Sequence, residues 1–232
     1  MKFSQPLQEG KILKRYKRFF ADIQLNNEIV VAHVPNTGSM KTCWEPGWKA
    51  LVSFHDDPKR KLKYTLEMTS NGKSWIGVNT SWPNKLAQEA ISSGHIKELL
   101  GYSTITPEKT IGESRIDLYL TGEGKKDCYV EIKNVTLAQN QIALFPDAVS
   151  ERGQKHLREL THLSKSGHRA CMLFIVQRED VTSFKPADAI DPEYGKLLRE
   201  AAKAGVEILV YQCHLDVKGI SLSKSLPYDL DS

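Results

Sequence analysis

With 232 residues, 40% of them hydrophobic and 26% charged, the chain has ordinary globular composition and length for one large domain or two small ones. No window approaches eighteen uncharged apolar residues, and the opening "MKFSQPLQEGK" lacks the apolar core of a secretory signal; this argues against a membrane span and for a cytoplasmic protein. The net charge of +4 conceals an asymmetry, because residues 1–85 hold 14 Lys and Arg against 7 Asp and Glu, whereas the remainder holds 18 against 21. Cys43, Cys128, Cys171 and Cys213 lie far apart with no C-x-x-C pair, so free, mostly buried thiols are expected rather than a zinc site.

The first 80 residues read as short strands separated by turns. "KILKRYKRF" and "ADIQL" precede the Asn26-Asn27 turn, "EIVVAHV" follows it, "KALVSF" comes after Pro46-Gly47, and "YTLEMT" and "SWIGVNT" flank Asn71-Gly72. Asn-Gly between alternating strands is a hairpin signal. About five short strands in ~80 residues suit a small closed barrel such as the OB fold. Lys14, Arg15, Lys17 and Arg18 are interleaved with Tyr16, Phe19 and Phe20, a mixture that suits a phosphate backbone with unstacked bases. It equally suits a strand edge kept soluble by lysines. "VPNTGSM" reads as an ordered loop that lacks the glycines and lysine of a phosphate-binding loop.

At Pro83 the pattern changes. "PNKLAQEAISSG" and "HIKELLG" have helical spacing, the strands "SRIDLYL" and "CYVEIKN" follow, and a helix is predicted over about 147–166 with Val149, Leu157, Leu160 and Leu163 as its buried stripe. The apolar strand "ACMLFIV", a helix "PEYGKLLREAAKAG" closed by Gly205, and the strand "VEILVYQC" complete the order. This order predicts a mixed sheet flanked by helices. The expected organisation is a two-domain α+β chain, an OB-type barrel over residues 1–82 and a mixed-sheet domain over 83–232.

A turn centred on Gly124 sets Asp117 opposite Glu131. Directly opposed side chains lie ~5 Å apart, and like charges there are destabilising. Lys133, two residues from Glu131, shares its face, while Val130 and Ile132 point the other way into the core. Such a patch suits a hard divalent cation on oxygen ligands that activates water and polarises a phosphoryl oxygen, with the ammonium offsetting charge at the transition state. It suits a cross-strand ion pair on a solvated face as well.

"AHVPNTGSM", "VNTSWPNKL", "SRIDLYL", "YVEIKNVTL" and "FPDAVSERGQKHLREL", in that order, resemble the sugar fermentation stimulation protein family, SfsA. The resemblance implies DNA binding, an association with regulation of sugar (maltose) metabolism, and an OB domain followed by a PD-(D/E)xK nuclease-like domain. In that nuclease pattern an acid on one strand precedes an acid-x-Lys on the next, and the matching positions are Asp117, Glu131 and Lys133. Asp117 stands in "RID" where many such nucleases have Pro-Asp. By the same resemblance the first helix would offer Glu89, which could also be a plain solvated residue, and the helix after the acidic strands would offer Gln154 and Lys155. Arg152, Lys155 and His156 could meet phosphate or an activated water.

Two readings follow. One is a DNA-binding regulatory protein with a nuclease-type site for Mg²⁺ or Mn²⁺ at Asp117 and Glu131; the other is an active Mg-dependent DNA endo- or exonuclease. In both, DNA is the partner and Lys14, Arg15, Lys17, Arg18, Arg152 and His156 are its candidate contacts. A sugar-binding effector domain gains no support, since no paired carboxylates gather with aromatic platforms around a pocket. Strandedness, sequence preference and oligomeric state leave no signal.

Overall fold

The computed structural model describes residues 1–111 and 114–231. Strands β1 (Gln8–Tyr16), β2 (Phe20–Leu25), β3 (Glu28–His33), β4 (Lys49–Phe54), β5 (Tyr64–Ser70) and β6 (Trp75–Gly77) form one sheet in the order β3-β2-β1-β4-β5-β6. Parallel pairing of Ala32 with Tyr64 and His33 with Thr65 joins β3 to β5 and closes the barrel. Alternation does the rest: Ile12, Ala21, Ile23, Ala32, Ala50, Val52 and Leu66 point inward and are fully buried. The OB-type barrel expected from the turn spacing is present.

The first strand differs from expectation. It begins at Gln8 and ends at Tyr16, so Lys17 and Arg18 sit in the β1–β2 turn with φ of 48° and 64°. With Phe19 they make a three-residue connection between Tyr16 and Phe20, which places both cations at the barrel's tip rather than along its edge.

The second sheet is ordered β15-β14-β12-β9-β8-β7. Its members are β7 (Thr104–Ile111), β8 (Ser114–Thr121), β9 (Cys128–Val135), β12 (Arg169–Val176), β14 (Glu207–Asp216) and β15 (Gly219–Ser225). Strands β9, β12 and β14 run parallel, and β7, β8 and β15 add antiparallel edges. Helix α1 (Pro83–Ser92) covers one face, where Leu86, Ala90 and Ile91 meet Leu118, Val130, Ile132 and Leu173. Helices α2 (Glu151–Lys165) and α3 (Pro192–Lys203) cover the other, where Leu157, Leu160, Leu197 and Leu198 meet Met172, Phe174 and Val210. A small sheet of β10 (Leu137–Gln139), β11 (Ile142–Phe145) and β13 (Ser183–Pro186) caps one end. This is the mixed sheet with flanking helices that the element order predicted.

Two further expectations are corrected. Helix α2 starts at Glu151, where the Ser150 hydroxyl caps it by accepting from Gly153 N at 3.1 Å; Val149 therefore lies outside the helix and is 67% exposed. "HIKELLG" is only a 3₁₀ turn over Lys97–Leu99, hemmed in by Gly94 and Gly101 at positive φ, and Leu100 is exposed. All four cysteines are free and buried as expected, and burial raises the Cys43 and Cys128 thiols to about 11 and about 12. Among the described residues no helix is long and apolar enough to cross a membrane.

Candidate nuclease-type metal site

The β8–β9 ladder pairs Leu120 with Cys128, Tyr119 with Tyr129 and Leu118 with Val130. Asp117 and Glu131 come next in that register. There the backbone pairing stops, and the Asp117 side chain takes its place: Oδ2 accepts from Ile132 N at 2.8 Å. The other oxygen, Oδ1, accepts from Asn84 Nδ2 of α1 at 3.0 Å. Burial first, and the Glu131 charge second, raise the Asp117 carboxyl above its ordinary value despite these two donors.

Glu131 is 2% exposed, which removes the solvated-face alternative; α2 covers this face of the sheet. Its Oε1 accepts from Lys133 Nζ at 2.7 Å. The His156 ring sets Nδ1 against the same oxygen and 3.2 Å from Lys133 Nζ, so a proton on Nδ1 bonds to the carboxylate and a bare Nδ1 accepts from the lysine. Burial pushes the Glu131 carboxyl up, but the His156 and Lys133 contacts outweigh it and the net direction is down. The second oxygen, Oε2, is buried with no hydrogen-bond partner among the described residues.

A divalent cation fits this arrangement. Two carboxylates supply hard oxygen ligands, Asp117 keeps lone pairs beyond the two it uses, and Glu131 Oε2 lacks any donor. Among the described residues no three His, Cys, Asp or Glu side chains gather in a metal-binding group.

The remaining candidates divide. Arg152 is exposed and shares with Lys133 a cleft of about 380 Å³ that also includes Asn36, Thr37, Gly38 and Thr80. Gln154 turns its amide to the Asp191 carboxylate at 3.0 Å, and Lys155 lies on the exposed side of α2, 4.0 Å from Glu159. Glu89 pairs with the N-terminal amine at 2.6 Å and Asn84, one turn earlier, meets Asp117 instead. On the barrel, Lys17 and Arg18 are exposed, and Lys14 pairs with Asp22 at 3.2 Å while lying 5.3 Å from the Tyr16 ring centroid. Arg15 is turned inward, its Nη2 donating to Asn36 O at 2.9 Å and Gly38 O at 3.0 Å.

Sequence reasoning missed Asn84 and the role of "VPNTGSM". That loop is bound from both sides, by Arg15 from the barrel and by Asp147 Oδ2, which accepts from Ser39 N at 2.8 Å and Ser39 Oγ at 2.9 Å. Gly38 is required there, since a Cβ would lie 2.7 Å from that same carboxylate oxygen. No local signal marked Asn84: it follows Pro83 at the start of α1, and its partner Asp117 lies on β8.

Two family models match consecutive segments, the "SfsA N-terminal OB domain" over residues 13–78 and the "Sugar fermentation stimulation protein RE domain" over 81–219. A sugar fermentation stimulation protein homolog of Geotalea uraniireducens is 53% identical over 228 residues, covering 97% of this chain and 98% of the relative. That of Geotalea daltonii is 55% identical over 224 residues, 96% of each. The solved structure of Pyrococcus furiosus SfsA in complex with Ca²⁺ superposes with a TM-score of 0.89 at 30% identity, covering 99% of this chain and 98% of that one. With both halves matched in order and relatives aligned end to end, the chain belongs to the sugar fermentation stimulation protein family.

Proposed function

We propose that this chain is a DNA-binding protein whose barrel, residues 1–82, engages the phosphate backbone, and whose second domain, residues 83–232, holds Mg²⁺ or Mn²⁺ between Asp117 and Glu131. The observation that carries the metal site is Glu131 Oε2, a buried carboxylate oxygen without a donor among the described residues. Leaving such an atom unpaired is costly, and a cation relieves that cost. The Pyrococcus furiosus relative is described with Ca²⁺, another hard ion with oxygen preference, which supports the same class of ligand here. Lys14, Lys17 and Arg18 supply the exposed positive charge of the barrel.

A second reading, DNA cleavage, is favoured by Lys133, which reaches both the cleft and the acid pair. When bound, the cation would polarise a phosphoryl oxygen and lower the pKa of water. The protein's own groups do the rest. Asn84 and Ile132 N hold Asp117 in place, His156 holds Glu131, and the Lys133 ammonium lies where it can offset charge that develops on phosphorus-bound oxygens. Arg152, at the cleft wall, is placed to hold the adjoining phosphate.

Incubation of the protein with several DNA forms and Mg²⁺, Mn²⁺ or chelator tests both. Metal-dependent cleavage that falls ~10²- to 10³-fold in Lys133→Ala, with Mn²⁺ and DNA still bound, supports turnover. Binding without cleavage leaves the regulatory reading, and no binding of any DNA form refutes the proposal. The link to sugar (maltose) metabolism rests on family membership, and growth of a deletion strain on maltose tests it.

A further inference from the structure

We propose that the barrel carries a base-stacking pocket formed by Phe20, His33, Arg60, Lys61 and Leu62, and that the DNA this protein handles is therefore an unpaired strand. The inference rests on the DNA-binding reading above and narrows it to a substrate class.

Phe20 and His33 are direct partners across β2 and β3. Their neighbours Ala21, Ala32 and Val34 are buried in the barrel, so by alternation these two rings face outward. The loop between β4 and β5 brings Arg60, Lys61 and Leu62 beside them, bordering an open depression of about 350 Å³. That loop is tied down: Arg60 Nη2 donates to Thr65 Oγ1 at 2.7 Å, Arg60 N to Asp57 O at 3.1 Å, and His55 N to Lys63 O at 2.8 Å. The pocket is thus present before any ligand arrives.

Its chemistry is two aromatic rings with two cations at one side, which matches a nucleobase and its phosphate. Burial, and then the nearby Arg60 charge, lower the His33 pKa, so near neutral pH the ring is uncharged and offers a flat face for stacking. The pocket also continues into a larger path. The Phe20 ring lies 5.7 Å from that of Tyr16, Lys14 lies 5.3 Å from Tyr16, and exposed Lys17, Arg18 and Phe19 form the adjoining turn. Asp22, the acid on this path, is engaged by Lys14 at 3.2 Å and by the Tyr16 hydroxyl at 3.0 Å.

Aromatic rings alternating with cations serve an unpaired strand, whose bases are free to stack, and do little for a duplex, whose bases are stacked on one another and which presents phosphates.

The test is fluorescence anisotropy of the full-length protein, in chelator, with a labelled thymidine strand of about 20 nucleotides and with its duplex, a length beyond the 4–16 nucleotides an OB fold covers. The parent should bind the single strand at least about ten-fold more tightly. Phe20→Leu should weaken single-strand binding about ten-fold and leave duplex binding unchanged. Lys61→Ala, a change at an exposed side chain that leaves the fold intact, should flatten the single-strand salt slope by about 0.7. Equal affinity for strand and duplex in the parent, or single-strand binding untouched in both variants, overturns the pocket while the DNA reading stands. Failure to bind either form overturns both.

Discussion

Replacing Glu131 by Gln isolates what the buried charge does for the fold. The side chain is 2% exposed and its Oε1 is held by Lys133 and His156. Glutamine keeps an acceptor of similar shape but strands the Lys133 ammonium, whose side chain is only 12% exposed. Breaking one partner of a buried pair costs ~3–5 kcal/mol, and because Lys133 also lines the cleft the lower figure, about 3 kcal/mol, applies. For a chain of this length 1 kcal/mol shifts Tm by ~2–4 °C, so the metal-free variant should melt about 6–12 °C below the parent at pH 7.5. The pH dependence has a defined sign. The folded Glu131 pKa lies below its ordinary 4.5, so the stabilisation is full above about that value and disappears as pH falls through the lower, folded one. Calorimetric melting in chelator across that range measures it. An unchanged or raised Tm at pH 7.5, or a gap that widens on acidification, would refute the ion-pair account.

The companion predictions use other residues. The triple change of Lys14, Lys17 and Arg18 to Ala should flatten the log-log salt slope of DNA binding by ~2 to 3 units; an unchanged slope makes the turn merely a soluble tip. Asn84→Ala should weaken Mn²⁺ binding by ~10- to 100-fold, the usual effect of removing a group that orients a ligand, and calorimetric titration that matches the parent would separate Asn84 from the site. Since burial and Glu131 raise Asp117 above 3.8, Mn²⁺ affinity should begin to fall, as pH is lowered, at values where an ordinary aspartate is still ionised, whereas a flat affinity down to that value argues against Asp117 as a ligand.

What the sequence disclosed was whatever local periodicity controls. Barrel strands, α1, α3 and the apolar strands β12 and β14 follow from alternation, Pro83 and Gly205, and the turn at Gly124 was enough to fix the β8–β9 register. Strand β7 was missed because "TITPEKTI" has almost no buried position and contains Pro107; it is a strand only because β8 offers a free edge to pair with. The same holds for β15, polar on one face and recruited by β14. At the site, the acid and lysine positions were legible because they lie on one hairpin. Asn84 was not, because its contact with Asp117 spans 33 residues and depends on how α1 crosses the sheet.

Arg15 shows why cation counting overstates a binding surface. In sequence it is indistinguishable from Lys14, Lys17 and Arg18, yet its guanidinium is used up on the carbonyls of Asn36 and Gly38, and burial lowers its pKa from the ordinary value. Its two terminal nitrogens together reach three carbonyls of the loop, those of Asn36, Gly38 and Ser39. Its work is to stiffen the loop whose Ser39 grips Asp147 just before α2, and α2 carries both Arg152 and His156. Hydrogen bonds therefore tie β1 to the loop through Arg15 and the loop to Asp147 through Ser39, while His156 of α2 contacts Glu131. On the function proposed above, a strand held on Lys17 and Arg18 would be presented to the cleft by this connected loop, so binding at the barrel would contribute to positioning at Lys133 as well as to affinity.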